Sequence, residues 1–216
     1  HHRTNSGTGA KHRMIYGQLI LVSAPSGAGK TSLVSAALES DPQLVVAVSH
    51  TTREPRIGEE DGVNYHFVDH DKFGHMITGE EFLEHAEVFD NRYGTSRSEV
   101  SGKRENGQDV ILEIDWQGAA QVRALMPDAI SIFILPPSIQ ALEDRLVSRG
   151  QNTAESIQRR LGEASLEMAS AVNFDYLIIN EDFDTALIQL LCVMRTGRQS
   201  TAIQTQRPEI KTLLGL

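Results

Sequence analysis

One short stretch of the sequence combines glycines, a lysine and a threonine in an order that suits the binding of a nucleotide phosphate. Gly27 and Gly29 can adopt backbone conformations closed to other residues, so successive N–H groups can point at one phosphate. Lys30 can reach the β- and γ-phosphates, and the Thr31 hydroxyl can hold Mg²⁺. The residues expected to surround a donor nucleotide here are Ser23, Ala24, Pro25, Ser26, Gly27, Ala28, Gly29, Lys30, Thr31 and Ser32.

A pair of arginines could bind a second phosphate. Arg53 and Arg56 stand on either side of Pro55, which forbids a regular helix at this point. Two guanidinium groups on a rigid loop suit a phosphate monoester, because each can donate two parallel hydrogen bonds. The alternative is that both arginines are ordinary surface residues.

A group of polar residues between positions 49 and 95 could recognise the rest of an acceptor molecule. Tyrosine hydroxyls can share a phosphate with arginines, and the Glu84 carboxylate can accept two parallel hydrogen bonds from a base edge. Guanine offers such an edge, with an N1–H and an exocyclic amine, and adenine does not. The residues of this group are Ser49, Tyr65, Glu84, Tyr93 and Thr95.

A further set of arginines lies on both sides of a predicted turn at Gly150. Cationic side chains at such a turn between two helices could close over charged phosphates and exclude water. They could equally be helix-surface charges paired with acidic neighbours at 143, 144 and 155. The four arginines are Arg145, Arg149, Arg159 and Arg160.

The elements that must position these side chains alternate between strands and helices. Continuous apolar runs at 18–23, 44–48, 109–114, 130–135 and 176–179 are typical of strands buried on both faces. The segments between and after them have helical periodicity, which predicts an α/β fold with a mostly parallel sheet covered on both faces. The predicted helices cover 32–40, 69–79, 99–106, the segment after 115–118, 138–150, the segment from 153, and 183–198.

One region breaks this alternation and is predicted to be an inserted subdomain of short strands. It extends from about Ser49 to Ser96, with strands expected at 65–68 and 82–89 and a loop at 90–96. Because the paired arginines and Glu84 fall within it, the insertion would carry the acceptor site.

Composition limits the classes of protein that the chain can belong to. The chain has 216 residues and a formal net charge of −9, which argues against nucleic acid or an anionic membrane as a partner. Arginine outnumbers lysine three to one, which favours local phosphate sites over diffuse positive charge. The single cysteine, Cys192, and the absence of a long apolar run predict a cytoplasmic protein.

The first thirteen residues are not expected to belong to the folded protein. They are polar, begin with two histidines and precede Met14, a plausible natural start. We interpret residues 1–13 as a disordered tag remnant and 14–216 as one domain.

Several blocks of the sequence resemble bacterial guanylate kinases, and the resemblance extends from about Gly17 to the C-terminus. The block at 51–56, Thr-Thr-Arg-Glu-Pro-Arg, is more distinctive for that family than the phosphate loop, which many nucleotide enzymes share. The matching stretches are 24–30, 49–56, 58–65, 82–86, 93–95 and 113–118.

The resemblance implies a P-loop NTPase fold with a GMP-binding insertion at about 49–96 and a helical lid at about 139–170. It implies ATP and Mg²⁺ as cofactors, and phosphoryl transfer from ATP to GMP or dGMP. The GMP phosphate would contact Ser49, Arg53, Arg56, Tyr65 and Tyr93, and guanine would contact Glu84, Thr95 and Asp115. The lid and donor-phosphate arginines would be Arg145, Arg149 and Arg160, and Asn180 would contact adenine.

The sequence departs from the family pattern at two positions. Ala24 replaces the glycine common at the start of the phosphate loop, where we expect it to be tolerated because it lies outside the tight turn. Glu113 stands where some relatives have Asp, which leaves its role beside Mg²⁺ open.

Alternative functions also fit parts of the sequence. A guanylate-kinase-like module could bind phosphopeptides through the arginines and tyrosines, but its phosphate loop should then be degraded, whereas Lys30 and Thr31 are both present. A P-loop kinase for another small acceptor is disfavoured by Glu84. A metal site at His66 and His70 is disfavoured because their four-residue spacing spans two different elements. The sequence leaves open whether the chain forms a homo-oligomer.

Overall fold

A computed structural model describes residues 16–88, 90–148 and 154–216 of the chain. The proposed tag remnant at 1–13 lies outside the described residues, as does Arg149. Within these ranges, no helix is both long enough and apolar enough to cross a membrane.

The strands and helices of the described residues confirm an α/β fold. The strands are β1 (Leu19–Ser23), β2 (Leu44–Val46), β3 (His50–Thr51), β4 (His66–Phe67), β5 (Phe82–Val88), β6 (Asn91–Ser96), β7 (Asp109–Glu113), β8 (Ile130–Leu135) and β9 (Tyr176–Ile179). The helices are α1 (Lys30–Ser40), α2 (His70–Thr78), α3 (Arg97–Glu105), α4 (Trp116–Leu125), α5 (Ile139–Ser148), α6 (Ala154–Ala169), α7 (Phe183–Gly197), α8 (Thr201–Gln204) and α9 (Pro208–Leu214), with a 3₁₀ helix at Ser170–Asn173.

A parallel sheet forms the centre of the molecule, in the order β2-β7-β1-β8-β9. Every residue of β1 is buried, because helices cover both faces of the sheet. Ile20 and Val22 pack with α1 and α7 on one face. Leu19 and Leu21 pack with α3 and α4 on the other. This layering explains why the core strands read as continuous apolar runs.

A second sheet is formed by residues 50–96, in the order β4-β3-β6-β5. The prediction of a loop at 90–96 is wrong, because residues 91–96 form β6 and pair antiparallel with β5. The β6 sequence is polar and lacks an apolar alternation, so its strand conformation comes from backbone pairing with β5 and β3. Asp90, with φ 63, makes the turn between the two long strands.

Two helices, α5 and α6, lie over the end of the central sheet that carries the phosphate loop. They pack on each other through Leu142 and Leu146 of α5 and Ala164 of α6. A Cβ built on Gly27 would lie 3.0 Å from Leu142 Cδ1, so α5 touches the phosphate loop directly. The helices that the sequence comparison implied as a lid therefore pack against the nucleotide end of the fold.

The second sheet contains a half-buried histidine, His50, that should make the stability of the protein depend on pH. Burial, assisted by His66 and Lys72 and opposed by Glu99 and Asp61, lowers the pKa of His50 from 6.5 to about 4. An unfolded histidine takes up a proton below about pH 6.5, so stability should fall as the pH drops from about 6.5 to about 4. We expect His50→Phe, which keeps a ring against Phe82 but cannot be protonated, to lose less stability. Thermal unfolding at neutral and acidic pH measures the difference.

A matched control for this prediction is His70→Gln, which changes an exposed histidine at the start of α2. It should lose as much stability on acidification as the unchanged chain. Equal losses in the unchanged chain and in His50→Phe would contradict the prediction.

Candidate functional site

The phosphate loop connects β1 to α1 in the conformation that the glycines were expected to allow. Gly27 has φ 91 and Gly29 has φ 96, in the left-handed region that favours glycine. Gly29 is the N-cap residue of α1 and supplies no side-chain cap. The first N–H groups of the helix can therefore bind an anionic ligand, which the positive end of the helix dipole also favours.

Two side chains from distant parts of the chain hold this loop in place. Asn180 Nδ2 donates to the Ala28 carbonyl oxygen at 2.8 Å. Arg145 donates from Nη2 to the Asn180 carbonyl oxygen at 2.9 Å and from Nη1 to that of Ala28 at 3.5 Å. Both side chains thus donate to the Ala28 carbonyl oxygen of the loop, and Arg145 also donates to the backbone of Asn180. The adenine contact implied for Asn180 stays a prediction.

A cavity of about 340 Å³ lies against the loop and has an unexpected acidic side chain in its wall. Burial lowers the pKa of Lys30, while the carboxylates of Glu113, Asp115 and Glu167 act in the opposite direction. Glu167 was not predicted, because nothing in its local sequence on α6 distinguishes it from a surface residue. The lining residues are Ala24, Pro25, Ser26, Gly27, Gly29, Lys30, Thr31, Ser32, Ile114, Asp115 and Glu167.

A second cavity, of about 410 Å³, meets the first one at Lys30 and Thr31, which line both. Its far side belongs to the second sheet and the loop before β4. A phosphate on the loop and a molecule in this second cavity would therefore both contact Lys30. The lining residues are Lys30, Thr31, Val46, Ala47, Ser49, Asn64, Tyr65, Thr95, Leu112 and Glu113.

Two oxygen-bearing side chains at this junction could hold a divalent cation. Thr31 Oγ1 donates to Glu113 Oε2 at 3.4 Å. Carboxylate and hydroxyl oxygens are hard donors of the kind that Mg²⁺ prefers. The donor set therefore fits the Mg²⁺ that the phosphate-loop motif predicts.

The loop that carries the paired arginines is organised by Glu59. Arg53 Nη2 donates to Glu59 Oε1 at 2.9 Å, and the Arg56 backbone N–H donates to Glu59 Oε2 at 2.7 Å. The Arg53 guanidinium also lies 5.4 Å from the centre of the Tyr65 ring, which packs edge-on against Tyr93 at 6.0 Å. Glu59 is therefore a structural partner of Arg53.

A hydrogen-bonded group lies beside Tyr65 and centres on Glu84. Thr95 Oγ1 donates to Glu84 Oε1 at 2.8 Å, and the Ser49 and Thr95 hydroxyls share a hydrogen bond at 3.1 Å. Burial raises the pKa of Glu84, and nearby Asp115 adds to the rise, whereas the hydrogen bond from Thr95 lowers it. A carboxylate in this partly desolvated position gains from a ligand that donates two N–H groups to it.

The remaining predicted residues are less closely grouped. Ser23 is buried at the end of β1 and is not among the residues that line the loop cavity. Asp115 caps α4 by accepting from the Gly118 N–H at 2.7 Å, and it lines the loop cavity. Arg56 is exposed and Arg160 is half-buried on α6, while Arg149 lies outside the described residues.

Comparison with known proteins agrees with this geometry. A family profile described as guanylate kinase matches residues 16–196. The chain belongs to the guanylate kinase family. A guanylate kinase of Alkalilimnicola ehrlichii is 54% identical over 203 residues, covering 92% of this chain and 99% of that one. A guanylate kinase of Hahella chejuensis is 56% identical over 196 residues, covering 91% and 94%.

A solved structure of the guanylate kinase family also resembles the fold. The crystal structure of guanylate kinase from Anaplasma phagocytophilum matches with a TM-score of 0.69 and 33% sequence identity. The match covers 88% of this chain and 90% of that one. The P-loop NTPase fold predicted from the sequence is thereby confirmed.

The backbone at Gly29 should be essential for donor binding. A Cβ there would lie 2.4 Å from Asn180 Nδ2, and its φ of 96 is strained for any other residue. We expect Gly29→Ala to weaken ATP binding by about tenfold or more, because strain and a clash of this size cost roughly 1–3 kcal/mol. Titration calorimetry with ATP measures the loss.

Gly102→Ala serves as the matched control, since nothing lies within 4 Å of a Cβ at that position on α3. It should leave ATP affinity unchanged. Normal ATP affinity in Gly29→Ala would show that the loop tolerates a side chain and would contradict the prediction.

Proposed function

We propose that this chain transfers the γ-phosphoryl group of ATP to GMP, and to dGMP, and releases ADP and GDP or dGDP. The observation that carries the proposal is the meeting of two cavities at Lys30, one on the phosphate loop and one lined by the second sheet. Membership of the guanylate kinase family supports ATP as donor and GMP as acceptor. The residues proposed to contact GMP bind its phosphate and its base and not the 2′-hydroxyl, so we expect dGMP to be accepted as well.

On the donor side, the loop N–H groups and Lys30 would bind the β- and γ-phosphates. Asn180 and Arg145 would keep the loop in shape through Ala28. Thr31, with Glu113, would hold Mg²⁺, whose charge neutralises the phosphates. Arg145, Arg149 and Arg160 would contribute positive charge from the lid.

On the acceptor side, the GMP phosphate would bind between the paired arginines and the two tyrosines. Arg53 is held 2.9 Å from Glu59, so its guanidinium is already oriented before GMP arrives. Ser49 would add a hydroxyl donor. The contacts proposed for the phosphate are Ser49, Arg53, Arg56, Tyr65 and Tyr93, and those for guanine are Glu84, Thr95 and Asp115.

Catalysis would come from positioning and from neutralising charge. Lys30 would contact the phosphoryl group between donor and acceptor, since it lines both cavities. The acceptor oxygen attacks the γ-phosphorus directly as the bond to ADP breaks, and no covalent enzyme intermediate is needed. The phosphopeptide-binding alternative is not favoured, because it would leave the intact phosphate loop without a role.

The proposed setting is the cytoplasm. Cys192 is the single cysteine of the chain, so no disulfide can form within it, which fits a reducing compartment. The net charge of −9 supports small nucleotides rather than nucleic acid as partners.

The direct test of this function is an assay of ADP release with GMP, AMP, CMP and UMP as acceptors. We expect GMP to be preferred by about a thousandfold or more, because sites that hydrogen-bond a base edge reject bases lacking it. Equal rates with all four nucleotides, or no ADP release with GMP, would overturn the assignment.

Arg53→Lys tests the acceptor-phosphate site. A guanidinium has a planar set of donors that can bind Glu59 and a phosphate together, whereas an ammonium group does not. We therefore expect GMP to bind about tenfold more weakly. Calorimetric titration with GMP gives the dissociation constant. The control is Arg123→Lys, which alters an arginine paired with Asp175 away from both cavities. Unchanged GMP affinity in Arg53→Lys would mean that Arg53 does not contact the phosphate.

Glu84→Gln tests the reading of guanine. The substitution keeps the size of the side chain but replaces one acceptor oxygen with a donor that can face adenine N1. We expect the ratio of kcat/KM for GMP over AMP to fall by about tenfold or more. Steady-state kinetics with both nucleotides measures the ratio.

The matched control is Glu87→Gln, which changes an exposed carboxylate on the same strand as Glu84. Its GMP/AMP ratio should equal that of the unchanged chain, and thermal unfolding checks that both variants are folded. A ratio within about threefold of the original in Glu84→Gln would show that this carboxylate does not read the base.

A further inference from the structure

The segment that joins the two sheets is held by an ion pair on α3. Residues 47–49 connect β2 of the central sheet to β3 of the second sheet. Lys103 Nζ donates to the Val46 carbonyl oxygen at 3.3 Å, and the Val48 N–H donates to Glu99 Oε1 at 2.9 Å. Lys103 Nζ also donates to the same oxygen of Glu99. The ion pair therefore binds the backbone of this connection at two points.

Glu99 also contacts the neighbouring strand β4. Its Oε2 lies 3.6 Å from His66 Nε2. The His66 N–H in turn donates to the Ser49 carbonyl oxygen at 2.9 Å, beside the point where β3 and β4 pair in parallel. One carboxylate on α3 thus contacts two adjacent segments that enter the second sheet.

Both contacts of Glu99 are made next to residues that line the acceptor cavity. Val48 precedes Ser49 in the sequence, and His66 follows Tyr65. Ser49 and Tyr65 line the cavity, whereas Val48, His66 and Glu99 are not among its lining residues. Glu99 is therefore one residue away, along each segment, from a proposed contact of the acceptor phosphate.

The carboxylate is carried by a rigid part of the fold and stays charged. The Glu99 N–H donates to Ser96 Oγ in the first turn of α3, and Val100 is buried in the core beside β1. Burial acts to raise the pKa of Glu99, but the hydrogen bonds from Lys103 and from the Val48 N–H outweigh it, and the pKa is lowered. Hydrogen bonds to a charged carboxylate are roughly twice as strong as those between neutral groups.

We propose that Glu99 is a positioning residue that, together with Lys103, fixes Ser49 and Tyr65 where they bind the acceptor phosphate. The inference rests on the proposed function, because GMP supplies that phosphate. Without the ion pair, the two segments have to be ordered when GMP binds, and this ordering reduces the affinity. The contacts of Glu99 do not include the phosphate loop, so the affinity for ATP is independent of them.

Glu99→Gln tests this role, because glutamine keeps an oxygen that can accept from the Val48 N–H but loses the charge that holds Lys103. We expect the dissociation constant of GMP, measured by calorimetry, and KM for GMP to rise about tenfold. The dissociation constant of ATP and kcat should stay within about threefold of the unchanged chain. A purely structural defect would lower the amount of active enzyme, and hence kcat, without this selective loss of GMP affinity.

The matched control is Glu105→Gln, which changes an exposed carboxylate at the end of the same helix. It should leave GMP affinity within about twofold of the unchanged chain. Thermal unfolding checks that both variants are folded. Unchanged GMP affinity in folded Glu99→Gln, equal weakening of GMP and ATP, or equal weakening of GMP in both variants would overturn the proposal.

Lys103→Met removes the same ion pair from its other side and keeps most of the length of the side chain. We expect it to weaken GMP binding as well, and the double variant with Glu99→Gln to be no more than about threefold weaker than Glu99→Gln alone, because both changes remove one interaction. Fully additive losses, or normal GMP affinity in Lys103→Met, would contradict the role of the pair.

If neither variant folds, amide exchange in the unchanged chain decides. The Val48 amide, followed by NMR without nucleotide, should exchange slowly, because its N–H is bound by Glu99. Exchange as fast as that of an unprotected amide would overturn the proposal.

The assay of ADP release with GMP separates this inference from the proposed function. If the unchanged chain phosphorylates GMP and Glu99→Gln binds GMP normally, only the role of Glu99 is refuted. If the unchanged chain neither binds nor phosphorylates GMP, the proposed function fails and this inference fails with it.

Discussion

The hydrogen bond from Asn180 to the Ala28 carbonyl oxygen, 2.8 Å long, is the contact on which the nucleotide end of the structure depends. It joins the segment after the edge strand β9 to a loop 152 residues earlier, and Arg145 reinforces it from α5. These two side chains bind the Ala28 carbonyl group and so fix the shape of the loop. The glycine at position 29 is required by the same contact, since a side chain there would meet the Asn180 amide.

The second constraint is electrostatic, because an acidic chain has to bind two anionic nucleotides. The structure meets it by concentrating cations locally and by pairing them in advance. Arg53 is held by Glu59, and the carboxylates of Glu113, Asp115 and Glu167 raise the pKa of Lys30 against the effect of burial. The ion pair orients the Arg53 guanidinium without neutralising it fully, so that a phosphate completes the arrangement.

Much of the fold followed from local patterns. The five core strands were predicted because a strand buried on both faces is apolar throughout, and helices α1 to α7 followed from their periodicity. Helices α8 and α9 were not predicted. The error at 90–96 has a physical cause: β6 carries polar residues that line the acceptor side, and its strand geometry depends on pairing with β5 and β3. The short strand β3 was not predicted, since two residues carry no detectable period.

The sequence by itself determined the phosphate loop, because its glycines, lysine and threonine are adjacent in the chain and their spacing alone defines the motif. It also determined the family, whose characteristic blocks are contiguous. Only the tertiary structure decided which distant side chains meet the loop: Asn180 and Arg145 beneath it, and Glu167 in the cavity wall. Such contacts depend on how α5, α6 and β9 pack against the sheet, and no local pattern of residue types records that packing.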